Sequence, residues 1–243
     1  MDILPAALVS ALAAPSSRWD DLVAAVAAFE REVRAAPAVE HVAACERLVE
    51  ALSSTARTTD LADRVLDTHV FACSVAPPDP EVLAAWLLRL QLDHQAAPEV
   101  RLARYADVLG EAGVGRYREW AVTWFSALPV IGFGRTGRYD RTRWALLRIM
   151  EELAEFTGEV DLQVLVLAKD LSSGWHYLQV ATVLQEAGRS QEALDWVHRG
   201  LAATGGRGAA ARLVGLAVTE YTRLGRHEDA AELRKQAPPQ QAW

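Results

Sequence analysis

The stretch LQEAGRSQEALDW, from Leu184 to Trp196, decides the fold of this chain. It contains the end of one amphipathic helix, an Ala-Gly-Arg break and the start of a second helix. The break glycine, Gly188, has counterparts in the segment LGEAG, which ends at Gly113, and in the segment LGR, which contains Gly225. The three glycines are predicted to be equivalent turn residues, because their separations of 75 and 37 residues fit two units and one unit of roughly 37 residues. This pattern is typical of an α-helical repeat.

The rest of the chain also has helical periodicity. Apolar residues recur every three to four positions, and no segment shows sustained alternation of strand-forming residues. We therefore predict an all-α protein of about thirteen helices. The predicted architecture is an α-solenoid of antiparallel helix pairs, with tetratricopeptide-like pairs in the C-terminal half.

Breaks in this periodicity predict the domain organisation. The segment PVIGFGRTGRY has three glycines within six residues and cannot sustain a helix, so it is predicted to be an exposed loop. The predicted order is N-terminal helices (1–35), a helical domain (36–128), the loop (129–139), helical repeats (140–237) and a tail (238–243).

The apolar stripes predict the core. The segment PPDP, which ends at Pro80, stops one helix and caps the next. In that next helix the predicted buried residues are Val82, Leu83, Trp86, Leu87 and Leu90. Large aromatic side chains fill the layers between helices well. Core packing is therefore also predicted for Trp120, Trp124, Trp144, Trp175 and Trp196.

Composition narrows the classes of partner. A chain of 243 residues with 51% hydrophobic content is long enough to bury a sizeable core. The net charge of -7 argues against a nucleic-acid binder that relies on overall charge. A nucleic-acid accessory protein that uses the arginines at positions 135 to 143 is a third, weaker alternative, for which steep salt dependence of binding would be required. No apolar run reaches the eighteen or so residues that are needed to span a bilayer. A protein or peptide is the expected partner, and no membrane association is expected.

The N-terminal segment MDILPAALVSALAAPSS superficially resembles a signal peptide. It lacks the basic region of such peptides, because Asp2 is the only charged residue before Arg18. A short amphipathic helix is therefore favoured over a secretion signal. A cytoplasmic location is the expectation that follows.

Signatures of catalysis or cofactor binding are weak. Cys45 and Cys73 are too few for a cysteine zinc site, and the six histidines are scattered singly. Both cysteines are predicted to be buried thiols. His69 and His176 are predicted to be packed and hydrogen-bonded, in preference to acting as general bases. The glycines of the 129–139 loop spell GxGxxG, but no strand precedes them, so dinucleotide binding is not favoured. No metal, cofactor or catalytic residue is predicted.

The candidate binding residues lie in and after the loop. Arg135, Arg138, Arg141 and Arg143 could together hold a phosphate or an acidic peptide. Alternatively, these arginines are solvated and pair with the neighbouring Asp140, Glu151 or Glu152. Aromatic anchors dominate the energetics of many interfaces, and a nearby histidine could act on a small molecule. On these grounds the candidate site also includes Trp144, Trp175 and His176.

Three blocks of sequence together resemble a known family. They are HVFACSVAPPDPEVLAAWLLRLQLD (69–93), RYADVLGEAGVGRYREW (104–120) and the segment 147–196. They are similar to the helical-repeat portion of actinobacterial SWIM zinc-finger proteins. The zinc module of that family needs a C-x-C pair followed by C-x-H, which Cys45 and Cys73 cannot supply. The resemblance therefore implies a stand-alone scaffold without the zinc site.

These observations favour a non-enzymatic helical scaffold that binds a protein or peptide. The alternative is a helical enzyme or small-ligand-binding protein with a tryptophan-lined pocket. A closed cavity that contains several tryptophans and a titratable group would favour this alternative.

The turn assignment of Gly188 can be tested by substitution. If Gly188 occupies the left-handed position that follows a helix, Gly188→Val should destabilise the protein by about 1 kcal/mol or more. A β-branched side chain resists that backbone geometry. Thermal unfolding measures the effect, and an unchanged melting temperature would refute the assignment.

Overall fold

Helices make up almost all of the regular structure of the protein. The computed structural model describes residues 4–13, 19–94 and 96–236, so the predicted tail (238–243) lies outside the described residues. This described part contains twelve α-helices and no β-strand, which confirms the all-α prediction. The helices are α1 (Ala6–Ala13), α2 (Trp19–Ala35), α3 (Val39–Leu52), α4 (Thr59–Val75), α5 (Pro80–Asp93), α6 (Ala106–Ser126), α7 (Arg141–Thr157), α8 (Val160–Leu167), α9 (Gly174–Glu186), α10 (Ser190–Thr204), α11 (Ala210–Arg223) and α12 (His227–Gln236).

The helices belong to two compact units, which we describe separately. The first unit contains the described residues up to Trp124 together with Arg141–Glu152. The second contains Phe125–Asp140 together with the described residues from Leu153 onward. No helix in the described ranges is both long enough and apolar enough to cross a membrane.

In the first unit, α5 begins and packs largely as its sequence predicts. The Asp79 carboxylate accepts hydrogen bonds from the backbone N–H groups of Glu81 and Val82, at 2.9 and 3.1 Å, and so caps the helix. Four of the five residues predicted to be buried are buried, but Val82 is 60% exposed. The prediction for Val82 was therefore wrong, because α5 has a second apolar face. The four buried residues are Leu83, Trp86, Leu87 and Leu90.

The glycine predicted to form a turn in the first unit lies inside a helix instead. The break in α6 occurs at Gly110, which has a φ of 53° and a ψ of -168°. Gly113 is buried in the helix that follows, and a Cβ atom there would lie 2.9 Å from the carbonyl oxygen of Pro80. The turn prediction for Gly113 was wrong, because this glycine permits a close approach of α6 to the first turn of α5.

The two other glycines of the predicted repeat do form turns, and these turns have the same hydrogen bonds. Gly188 and Gly225 have φ values of 74° and 73°. The N–H of the following arginine donates to the carbonyl of Leu184 in the first turn and of Tyr221 in the second, both at 2.8 Å. The left-handed conformation predicted for Gly188 is confirmed, and the turns α9–α10 and α11–α12 repeat with a spacing of 37 residues.

The second unit also contains the glycine-rich segment 129–139. It forms no helix, and Ile131 pairs with the chain after α8 in an isolated parallel bridge. The N–H of Ile131 donates to the carbonyl of Lys169, and the N–H of Leu171 donates to the carbonyl of Ile131. Lys169 is 7% exposed, and its Nζ donates to the carbonyl oxygens of Ser126 and Leu128, at the end of α6. The segment is therefore held at its start by backbone and side-chain hydrogen bonds.

Gly113 and Gly115, two of the three glycines of α6, provide a matched test of the close approach. A Cβ at Gly113 would collide with Pro80 and Leu109, whereas one at Gly115 would meet no atom within 4 Å. We expect Gly113→Ala to destabilise the protein by about 1 to 3 kcal/mol through overpacking. Gly115→Ala should stabilise it by about 1 kcal/mol through helix propensity. Urea unfolding measures both changes, and equal effects would contradict the proposed role of Gly113.

A buried carboxylate of the second unit predicts a pH dependence of stability. Glu220 is 1% exposed and accepts hydrogen bonds from Gln185 at 2.8 Å and from Arg223 at 2.9 Å. Burial raises its pKa, but the side chains of Ser190, Gln185 and Arg223 more than offset that effect, so the net pKa lies below its usual value. The ionised Glu220 therefore stabilises the protein fully above its unfolded-state pKa. This stabilisation is lost as the pH falls through its lower folded-state pKa.

Glu220→Gln should remove part of this pH dependence. At pH 7 we expect it to destabilise the protein by about 1 to 3 kcal/mol, because the charged hydrogen bonds are lost. The difference from the wild type should shrink as the pH falls below about 4. Unfolding curves at several pH values measure both effects, with the exposed Glu228→Gln as the control. An equal loss of stability at every pH would contradict the assignment.

Candidate binding groove

The four arginines of the predicted site belong to two different units. Arg135 and Arg138 are exposed in the second unit, whereas Arg141 and Arg143 lie in the first turn of α7 in the first unit. The guanidinium of Arg141 donates a hydrogen bond to the carbonyl oxygen of Leu92, so it joins α7 to the end of α5. Arg141 thus makes a contact that supports the fold of the first unit. The four arginines are divided between the two units, two in each.

Trp144 is half exposed in the first unit and borders a very small cavity. The guanidinium of Arg148 lies 4.8 Å from the centroid of the Trp144 ring. The cavity has a volume of about 20 Å³, which is room for little more than one water molecule. The core packing predicted for Trp144 was wrong, and the cavity is too small for a ligand. The other lining residues are Gln91, His94, Ala97, Pro98 and Ala145.

The predicted site residues of the second unit are Trp175 and His176. Trp175 is 46% exposed, so its predicted core packing was wrong, and its ring lies beneath Arg212. The imidazole Nδ1 of His176 lies 3.4 Å from Asp170, 3.4 Å from Ser172 and 3.3 Å from Ser173. A catalytic relay needs the acid and the nucleophile on opposite ring nitrogens. Because all three contacts converge on Nδ1, these residues do not form a Ser-His-Asp relay.

The most reactive side-chain types of the first unit form a buried cluster. His69 is fully buried, with its Nδ1 2.9 Å from the Tyr105 hydroxyl and its Nε2 3.4 Å from the Cys73 sulfur. These contacts confirm that His69 is packed and hydrogen-bonded, and both free cysteines are buried as predicted. Burial and the charge of Glu46 raise the pKa of Cys45 and of Cys73 to about 12. Both therefore remain neutral thiols at physiological pH and are poor nucleophiles.

An open groove lies between α5 and α6 in the first unit. It has a volume of about 620 Å³. The rings of Trp120 and Trp124 are stacked along one side, with centroids 6.4 Å apart and an interplanar angle of 14°. Trp124 is 39% exposed, so its predicted core packing was wrong. We call this feature the tryptophan groove; its lining residues are Glu81, Val82, Ala85, Arg89, Trp120 and Trp124.

Charged side chains fix one border of the tryptophan groove. The guanidinium of Arg116 donates to Glu81 at 2.9 Å and to Glu119 at 2.8 Å. It also lies 5.2 Å from the centroid of the Trp120 ring, within the range of a cation–π contact. Hydrogen bonding to Glu81 raises the pKa of Arg116 further above its already high value. At this border, Arg116 thus pairs with both carboxylates and links α5 to the side of the groove that carries the tryptophans.

Arg89 differs from the other charged groups of the groove. Arg89 is exposed on α5. It lies on the same helical face as Val82 and Ala85, because the three residues are spaced by three and four positions. Within the described ranges, Arg89 has no ion-pair or hydrogen-bond partner for its side chain. Considering only the residues that the structure describes, the groove thus combines an apolar surface with one guanidinium that has no partner.

The sequence contains a signal for this groove that periodicity alone did not reveal. The segment EVLAAWLLRL has apolar residues on more than one helical face, so it exceeds what a single buried stripe requires. Trp120 and Trp124 are four residues apart, a spacing that places them on one face of α6. Either feature alone is also compatible with core packing.

Comparison of the chain with models of protein families, with curated proteins and with solved structures gives no match.

Proposed function

We propose that this protein is a non-enzymatic scaffold that binds a segment of a partner protein in the tryptophan groove. The observation that carries the proposal is the stacked pair of Trp120, which is partly buried, and Trp124, which is exposed beside the exposed Val82. Covering such side chains removes apolar surface from water, at a gain of about 25 cal/mol per Å². Tryptophan is also the residue type that most often dominates binding energy at interfaces.

The form of the groove favours a peptide segment as its occupant. Two helices supply its walls, and its apolar residues follow the face of each helix. An amphipathic helix can lay its apolar face into a groove of this kind. Its volume of about 620 Å³ is also in the range of small-molecule sites, which supports a small-ligand-binding protein as the second candidate. The groove is open, however, whereas sites for small molecules enclose most of the ligand.

Two further considerations support a scaffold over an enzyme. The buried thiols of Cys45 and Cys73 are held neutral, and the contacts of His176 converge on one nitrogen. We also propose that the helix pairs α9–α10 and α11–α12 are tetratricopeptide-like units, since their turns repeat with the same hydrogen bonds. Such repeat units form extended surfaces that bind other proteins. The resemblance to the helical-repeat portion of SWIM zinc-finger proteins supports the same role.

Two exposed tryptophans provide a matched test of the proposal. Random peptides displayed on phage would be selected on the full chain, and the most enriched peptide would be synthesised with a fluorescent label. We expect Trp124→Ala to weaken its binding at least about thirty-fold, as for a hot-spot residue. Trp175→Ala, which removes a comparably exposed ring from the second unit (46% against 39% for Trp124), should leave the affinity unchanged. Fluorescence anisotropy measures both.

Circular dichroism of each variant separates loss of binding from loss of folding. Both side chains are substantially exposed, so both variants should retain the helical spectrum and the melting temperature to within a few degrees. The proposal would be contradicted if no peptide were enriched, or if folded Trp124→Ala bound the peptide as well as the wild type.

A further inference from the structure

We propose that the tryptophan groove selects an amphipathic helical segment with an acidic side chain beside its apolar face. This inference rests on the proposed function and specifies the chemistry of the partner. The acidic side chain would pair with Arg89, while the apolar side chains would cover Val82 and the ring of Trp124.

The charges around the groove assign this role to Arg89 alone. Glu81 is neutralised by Arg116, which also pairs with Glu119. These groups have already replaced part of their hydration with contacts to one another. Among the described residues Arg89 has no such partner, although it lines the same groove. A partner that covered Arg89 without supplying an acceptor would leave a charge buried and unpaired, which is costly.

An arginine in apolar surroundings discriminates strongly between partner side chains. Its planar guanidinium can donate two parallel hydrogen bonds to one carboxylate. When a helix covers the groove, water is excluded and the local dielectric constant falls, so the attraction to a carboxylate grows. A basic side chain at the same place would be repelled. Arg89 therefore provides selection against basic segments as well as for acidic ones.

The spacing of the groove residues predicts where apolar and acidic residues should lie along the partner helix. Val82 and Arg89 are seven residues apart on α5, which is about 10.5 Å along the helix axis. Trp120 and Trp124 are one turn apart on α6. A helical partner that lies along α5 would meet these groups with apolar residues at i and i+3 or i+4. Its acidic residue would then lie about two turns from the apolar residue that contacts Val82.

The attraction must be local, because the chain as a whole is acidic. Its net charge of -7 provides no long-range attraction for an acidic segment. Selectivity should therefore appear mainly in the dissociation rate, as expected for a contact made within the complex.

Charge reversal at Arg89 tests the inference. The phage selection would be repeated on the full chain with Arg89→Glu, and with Arg47→Glu as the control. Arg47 is an exposed arginine of α3 that also has no ion-pair partner in the described part of the chain. We expect the wild type and Arg47→Glu to enrich apolar peptides with Asp or Glu at one fixed spacing. Arg89→Glu should enrich Lys or Arg at the same position.

A double-mutant cycle quantifies the contact. The enriched peptide and its version with the acidic residue changed to Gln or Asn would be titrated against the wild type and Arg89→Ala. We expect each single change to weaken binding about ten-fold, and the double change to cost little more than either one. Additive losses would overturn the proposed pairing with Arg89.

Two other outcomes separate this inference from the proposed function. Peptides that require Trp124 but show no preference for acidic residues would overturn the inference while leaving the proposed function intact. The absence of any peptide that requires Trp124 would overturn both. Sedimentation analysis provides a last check, because a dimer that requires Trp124 would assign the groove to a second copy of this chain and would also overturn the inference.

Discussion

The tryptophan groove depends on one close contact, between Gly113 of α6 and the backbone of Pro80 at the start of α5. Any side chain at Gly113 would enter the space of the Pro80 carbonyl oxygen and of Leu109. Arg116, Trp120 and Trp124 follow Gly113 at intervals of three and four residues, so they share its side of the helix. The contact therefore brings the face of α6 that carries the tryptophans close to the first turn of α5, where Arg116 also pairs with Glu81.

The reactive side-chain types in the interior of the first unit are buried, so we propose that its function lies on its surface. His69, Tyr105 and Cys73 could supply chemistry at a solvent-accessible site, but they satisfy one another in the core. A buried polar group without a partner costs about 1 to 3 kcal/mol, so this arrangement stabilises a unique packing. The exposed tryptophans present the opposite case. Trp124 stacks on Trp120, but the part of its ring that remains in water gains nothing from the fold, and a binding partner would cover it.

Sequence patterns predicted the helices and two of the three turn glycines, because those features depend on local interactions. Gly188 and Gly225 need only a left-handed backbone, which the neighbouring sequence indicates. Gly113 follows a similar Leu-x-x-Ala-Gly pattern but serves to let two helices approach closely, which depends on a distant part of the chain. Val82 and Trp124 were assigned to the core for a similar reason. Periodicity shows which residues share a face, but not whether another helix covers that face.

The arginines of the chain differ in the contacts that the fold gives them. Arg135, Arg138, Arg141 and Arg143 are neighbours in the sequence, but the fold divides them between two units and gives Arg141 a backbone contact. A site at these four arginines stays a prediction. What distinguishes one guanidinium from another is whether the fold has already satisfied it. Arg116 has two carboxylate partners, whereas Arg89 has none in the described ranges and stands beside an apolar surface. This combination makes Arg89 the position at which the protein can still gain from a partner's charge.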